Sequence, residues 1–97
     1  MDEQIERKAE FLKAIAQPTR LKILELLKDG ERCVCEIFPA IGEQQPNVSR
    51  HLQMMRRAGV LTMRKEGLRA IYGLSDPRIL DLLKGVDALG RSNGRRR

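Results

Sequence analysis

The chain reads as a run of apolar stripes, most of them at helical spacing. Ile5, Ala9, Leu12, Ile15 and Ala16 recur along one face of residues 3–16 and predict an amphipathic helix. The next stripe starts after Pro18, a residue suited to a first helical turn, and stops before Gly30. Its apolar residues, Leu21, Ile23, Leu24, Leu26 and Leu27, cover more than half the helix circumference, which predicts a central helix. Val34, Ile37, Phe38 and Ile41 follow at i, i+3, i+4 and i+7. Pro39 falls inside that stripe, so this helix is expected to be short or distorted, and Gly42 ends it. Residues 46–58 carry a fourth helix, with Pro46 in its first turn and Gly59 beyond its end. Gln44 stands at its cap, where Ser or Asp would hold the free N–H groups better.

The period then shortens to two. Residues 60–64 and 68–74 read as strands joined at Lys65, Glu66 and Gly67, a hairpin with glycine in the turn. After them Ser75 or Asp76 can cap, and Pro77 can open, a last helix lined by Ile79, Leu80, Leu82, Leu83 and Val86. The predicted order is α-α-α-α-β-β-α, mainly α with a small β-hairpin. Two helices joined by the glycine-containing turn IGEQQ and followed by a hairpin make a winged helix-turn-helix. It is expected to occupy residues 1–90 as one domain, with 91–97 (RSNGRRR) a basic, disordered tail.

Composition narrows the partner. The chain has 97 residues and is 41% hydrophobic, with no Trp, one Tyr and two Phe, so its core is aliphatic. A chain this small buries roughly 60–65% of its unfolded surface, which leaves room for a partner to cover more. Nineteen basic and thirteen acidic side chains give a net charge of +6, the balance of a protein that meets polyanions. Three aromatics cannot build a base-stacking platform, so single-stranded RNA reading of the usual kind is disfavoured. The first ten residues contain no apolar signal region and no window reaches 18 apolar residues; a cytoplasmic protein outside the membrane is expected. Nothing suggests a nucleotide loop or a hydrolase triad, so no enzyme is expected.

On a wheel of about 100° per residue, Val48, Leu52 and Met55 share one side of the fourth helix. Opposite them fall Pro46, Ser49, Arg50, Gln53 and Arg57, with no carboxylate. Ser, Arg and Gln bond base edges and phosphates in a major groove. The hairpin adds Arg64, Lys65 and Arg69 around its turn, a tip able to straddle phosphate. His51, the single histidine, flanks the core stripe and suits packing or phosphate contact better than metal binding.

Both cysteines lie in ERCVCEI, with one residue between them. In a reducing compartment, such a pair is more often a ligand or redox group than a staple. On a regular helix Cys33 and Cys35 point about 200° apart, on opposite flanks of the apolar stripe. Both sulfurs could then reach one ion only by bending the first turn. This helix is expected to pack on the reading helix, so the bend would misplace Ser49, Arg50 and Gln53. A bridge between i and i+2 is strained and labile, which makes oxidants or sulfane sulfur an alternative signal. A thiol-disulfide enzyme is disfavoured, because the spacing is not C-x-x-C and no βαβ pattern surrounds it.

The stretch QQPNVSRHLQMMRRAGVL, with RKEGLRAIYGL after it, resembles the ArsR/SmtB family of metal- and metalloid-responsive repressors. Their pattern runs S-Q-x-x-(V/L)-S-x-H-L, then L-x-x-A-G-(L/V), then R-x-G-x-x-x-(Y/F). Gln45, Val48, Ser49, His51, Leu52, Ala58, Gly59, Val60, Gly67 and Tyr72 match it, and residues 14–24 are similar to the family's ALAQPTRLKIL-type segment. The resemblance covers roughly residues 5–90. It implies a repressor that needs no cofactor to bind a double-stranded operator. Gln45, Pro46, Asn47, Ser49, Arg50, His51, Gln53 and Arg57 would contact DNA, together with Arg64, Lys65 and Arg69 of the wing. It also implies a homodimer through the first and last helices, whose stripes (Ile5, Ala9, Leu12; Ile79, Leu82, Leu83, Val86) lack core to cover them.

ERCVCEI is similar to the E-L-C-V-C-D-L of some members, with Arg32 for Leu and Glu36 for Asp. In those members the cysteines bind As(III), Sb(III) or soft divalent metals and release the operator. The resemblance thus makes Cys33 and Cys35 metal ligands. Three features depart from the family. Phe38 stands where a third cysteine sometimes follows. Residues 76–90 hold Asp76, Asp81 and Asp87 but no His. No cysteine precedes Cys33. The pair is a two-thiolate minimum, and an outside thiol or hydroxide would complete the site.

Overall fold

The computed structural model describes residues 2–94, with side chains to residue 91. Helix α1 (Asp2–Lys13) is followed by α2 (Pro18–Leu26), a 3-10 turn (Leu27–Asp29), strand β1 (Arg32–Cys33), α3 (Val34–Ile41) and α4 (Gln45–Arg57). Strands β2 (Leu61–Glu66) and β3 (Arg69–Leu74) form the wing, and α5 (Arg78–Gly94) completes the chain. The sheet order is β1-β3-β2, antiparallel throughout. This is a winged helix-turn-helix.

The core forms where the stripes converge. Ile23 and Leu24 of α2, Ile37 of α3, and Val48, Leu52 and Met55 of α4 are each 0% exposed, and Val60, Tyr72 and Ile79 close the cluster. Burying each such aliphatic side chain is worth about 1.5–3 kcal/mol. Packing therefore fixes α4 against α2 and α3 by its inner face and leaves its outer face free.

Four expectations need correction. The first helix stops at Lys13, not residue 16. Pro18 disfavours helical geometry in the residue before it, and Gln17 is extended, at φ −160° and ψ 136°. Gln17 accepts the Arg20 N–H at 3.0 Å and so caps α2, while Ala14 and Ile15 turn inward. Second, a third strand exists. Arg32 and Cys33 pair with Tyr72 and Ile71, a strand too short to show alternation. Third, the wing turn is Gly67-Leu68, since Lys65 and Glu66 still pair with Ala70 and Arg69. Gly67 has φ +63°, the conformation that a Gly-X hairpin turn requires at its first position. Fourth, helix α5 runs on to Gly94, so 91–94 are helical; residues 95–97 of the expected tail lie outside the described residues.

Asp76, not Ser75, caps α5. Its carboxylate accepts the Arg78 N–H at 2.8 Å and pairs with the Arg78 guanidinium at 2.7 Å, which holds Asp76 down to a pKa of about 2. Ser75 instead donates to the Gly59 carbonyl at 2.7 Å, tying the end of α4 to the end of β3.

Candidate nucleic-acid interface and thiol site

The reading helix is built as the wheel predicts. Val48, Leu52 and Met55 point into the core, and Gln45, Pro46, Asn47, Arg50, Gln53 and Arg57 are exposed, with Ser49 half-buried. Gln44 makes no side-chain cap bond, in line with its poor capping chemistry, and the first turn of α4 contains no acid. The Asn47 and Val48 N–H groups donate to the Gln44 carbonyl at 3.1 and 3.2 Å, and the positive dipole end of the helix faces outward with no acid to offset it.

A groove of about 590 Å³ separates α4 from the wing. Ser49, Gln53, Arg56 and Arg57 line one wall, and Met63, Lys65, Ala70 and Tyr72 the other. The fold therefore joins Ser49, Gln53, Arg57 and Lys65 in one concavity. Arg56 escaped the sequence reading, although it lies seven residues from Ser49 and three from Gln53, on the same helical face. Tyr72 is buried, and burial pushes its phenol above the usual range.

His51 is occupied within the fold. Arg20 of α2 donates from Nε to His51 Nδ1 at 3.2 Å, from Nη1 to the Lys13 carbonyl at 2.8 Å, and sets Nη2 against Met54 Sδ. Burial first, then the Arg20 charge, lowers the His51 pKa, so the ring is neutral at pH 7 and accepts at Nδ1. Arg20 escaped the sequence reading because 31 residues separate it from His51.

The wing also differs from expectation. Of its three cations, two are already paired. Arg64 bonds Glu31 at 3.0 Å and Glu66 at 2.8 Å, and these contacts raise its pKa and lower that of Glu66. Arg69 lies 3.8 Å from Glu36 and 4.0 Å from Glu66. Leu68 at the tip is fully exposed.

The thiol pair is arranged in a way that periodicity does not predict. Cys33 is not helical. It is the extended N-cap of α3, at φ −68° and ψ 145°. Its Sγ accepts the Cys35 N–H at 3.1 Å, and Glu36 Oε1 accepts the Cys33 N–H at 3.1 Å, a reciprocal capping box with sulfur in the place of a hydroxyl. The Cα atoms are 5.1 Å apart and the sulfurs meet at disulfide distance. The expected unwinding of a helical turn is therefore not required by Cys33, which stands before the first turn of α3. Cys33 is buried, at 2% exposure, and Cys35 is exposed. Among the described residues no group of three or more His, Cys, Asp or Glu is placed to hold a metal ion. The donor set is two soft sulfurs, which suit a thiophilic ion and leave its other positions to outside ligands.

The proposed dimer faces are uneven. Ile5 and Leu12 of α1 are 57% and 51% exposed, and Val86 and Leu89 of α5 are 57% and 66%. Ile79 is 4% exposed and belongs to the subunit's own core, not to a free stripe. No helix among the described residues is long and apolar enough to cross a membrane.

Residues 17–62 match the family described as bacterial regulatory protein, arsR family. An uncharacterized HTH-type transcriptional regulator of Methanocaldococcus jannaschii is 42% identical over 88 residues, covering 90% of this chain and 99% of that protein. The arsenical resistance operon repressor of Escherichia coli is 43% identical over 67 residues, covering 68% of this chain and 57% of that protein. The solution structure of a homodimeric winged helix-turn-helix DNA-binding domain from Mycobacterium bovis, a possible ArsR-family regulator, superposes with a TM-score of 0.86 at 29% identity. That likeness covers 99% of this chain and 89% of the other. By matched segment, by relatives and by fold, the chain belongs to the ArsR/SmtB family of DNA-binding transcriptional repressors and is not an enzyme.

Proposed function

We propose that the protein is a cytoplasmic, homodimeric repressor that leaves its operator when As(III), Sb(III) or another soft ion binds Cys33 and Cys35. The observation that carries this reading is the position of the cysteines. They form the N-terminal cap of α3, and α3 packs on α4. An ion between the sulfurs replaces the Cys35 N–H bond to Cys33 Sγ and so disturbs the start of the helix that supports the reading helix. A coupling of about five- to 150-fold in DNA affinity is typical of such linked sites.

DNA would lie against the outer face of α4. Ser49, Arg50 and Gln53 suit base edges in the major groove, Gln45, Pro46 and Asn47 the entry of the helix, and Arg57 with Lys65 phosphate. Arg64 and Arg69 could reach phosphate only by leaving their carboxylates. His51 seats Arg20 through Nδ1, which leaves its Nε2–H as the donor it could offer to phosphate. Exposed Ile5 and Leu12 with Val86 and Leu89 support dimerisation through α1 and α5, and a two-fold pair would read half-sites about one helical turn apart. The radius of gyration, 14.5 Å, exceeds the roughly 13 Å of a compact chain of this length, as protruding helices awaiting a partner would make it.

The test is fluorescence anisotropy of reduced protein on a duplex from its own upstream region, at fixed salt, with and without arsenite. Release that disappears in Cys33→Ser supports the reading, and selective binding that no thiophilic ion disturbs overturns it. One geometric observation favours a second reading. A Cα separation of 5.1 Å lies within the span of a disulfide, so an oxidant could take two electrons and two protons from the pair. Release by diamide, reversed by dithiothreitol, in protein that ignores arsenite would favour that redox signal.

A further inference from the structure

The wing grips the thiol segment at both ends. In E-R-C-V-C-E one carboxylate stands two residues before the first cysteine and one just after the second, Glu31 and Glu36. Each meets a different wing arginine. Glu31 Oε1 lies 3.0 Å from Arg64 Nη2, and Glu36 Oε1 lies 3.8 Å from Arg69 Nη2. Glu66 stands between the arginines, 2.8 Å from Arg64 and 4.0 Å from Arg69. The result is a row of alternating charges that ends at Cys35, whose Sγ is 3.8 Å from Arg69 Nη2.

Two features show that the fold makes room for this row. A Cβ at Gly73 of β3 would meet Glu31 Cγ at 3.0 Å, tighter than ordinary contact, so glycine gives Glu31 room to lie close over the sheet toward Arg64. Pairing of β1 with β3 sets Cys33 opposite Ile71, two residues from Arg69. The cysteines and the wing therefore share one sheet as well as one set of charges.

We propose that Arg69, seconded by Arg64, is a positioning residue through which the state of the thiols reaches the wing. This rests on the reading of the cysteine pair as the sensor, but gives it a second output beside the packing of α3 on α4. Cys33 is buried and held in the sheet; Cys35 is exposed. An ion or adduct at the sulfurs therefore displaces Cys35, and Glu36 follows as the next residue. Glu36 and Cys35 Sγ then leave Arg69 together. The wing loses its tether on the thiol side and no longer holds its place across the groove from Ser49 and Gln53.

The test compares wild type, Glu36→Gln and Arg69→Gln. Glutamine at position 36 keeps an oxygen for the Cys33 N–H, as capping boxes accept Glu or Gln, and removes only the charge pairing. DNA affinity is measured by anisotropy on the upstream duplex at low salt, where phosphate contacts alone suffice for binding. Each protein, first reduced with dithiothreitol that is then removed, is measured untreated, with arsenite, and after the thiolates have displaced iodide from iodoacetamide. In wild type, alkylation lowers affinity. In both variants that ratio moves toward one by about two- to fivefold, the weight of one exposed ion pair. Any direct bond from Arg69 to phosphate is missing from Arg69→Gln with and without alkylation, so its absence cancels from the ratio. Equal ratios in all three proteins, or no effect of alkylation in wild type, overturn the proposal. If arsenite releases no DNA while alkylation still acts through Arg69, the inducer reading falls and the wing coupling stands.

Discussion

Helix α4 and the wing flank one groove but carry their cations differently, and of the wing's three only Lys65 lines that groove. From Gln45 to Arg57 the helix has no acid, and Arg50 and Arg57 project from it unopposed by any carboxylate of the same helix. The wing has as many cations, but Arg64 and Arg69 are bound to Glu31, Glu36 and Glu66. A polyanion meets the helix without rearrangement, whereas at the wing each arginine must exchange a carboxylate for a phosphate. Exposed ion pairs are worth only about 0.2–1 kcal/mol, so that exchange is nearly balanced. On the proposed reading the helix is the element committed to DNA, and the wing is the one that events at the thiols would tip.

The largest effect should come from loosening the committed element. Leu52 is 0% exposed at the centre of the inner face of α4. Leu52→Ala should destabilise the protein by about 2–5 kcal/mol in urea unfolding, and DNA binding should fail as the helix loses its seat. A loss below about 1 kcal/mol would mean that α4 is not anchored by its core face. Next in size is the contrast between the cations of the helix and those of the wing. Arg50→Ala should weaken selective DNA binding by about 1–3 kcal/mol, and Arg57→Ala should reduce the salt slope by about one. Arg64→Gln should weaken binding by less, since that guanidinium is shared with two acids. Equal losses at Arg50 and Arg64 would erase the distinction between committed helix and adjustable wing.

The same two regions differ in how far they could be read from sequence. The core face of α4, its proline-led start and its glycine end were legible because a helix of thirteen residues repeats its pattern over several turns. Strand β1 has two residues and no period to detect. Placing Cys33 in a helix followed from that gap, and with it the false requirement that a turn unwind before the sulfurs could meet. The paired wing was also invisible. Arg64 and Glu31 are 33 residues apart, and no local pattern links them. Counting cations at a turn measures charge, and only the fold shows which charges are spent. The inward turn at Ala14 and Ile15 was missed for the opposite reason: the stripe continued, but Pro18 imposed an extended residue before it.

A smaller effect probes the wing's geometry apart from its charge. Gly67 has φ +63°, and nothing lies within 4 Å of where a Cβ would sit. Gly67→Ala therefore adds backbone strain without a clash, and should cost about 1 kcal/mol of stability. Thermal unfolding measures this, and DNA affinity measured beside it should fall if the turn aims the wing. Unchanged stability would place the turn in a conformation that alanine accepts.

The smallest effect concerns the side of α4 that turns away from DNA. His51 is held neutral by burial and by the Arg20 charge, so its folded pKa lies below the usual value near 6.5. Below pH 6.5 the unfolded chain takes up a proton at this site that the folded chain resists. Stability must therefore fall as pH drops from about 6.5 through the folded value, and level off once both forms are protonated. His51→Gln keeps an acceptor for Arg20 Nε and removes the titration. Urea midpoints at pH 7.5 and 5.5 should differ more in wild type than in His51→Gln, with little difference between the two proteins at pH 7.5. An identical pH dependence would show that Arg20 leaves His51 when the ring charges. The inner edge of α4 would then tolerate one more cation as readily as its outer face does, and the helix would be bound to its neighbours by apolar packing alone.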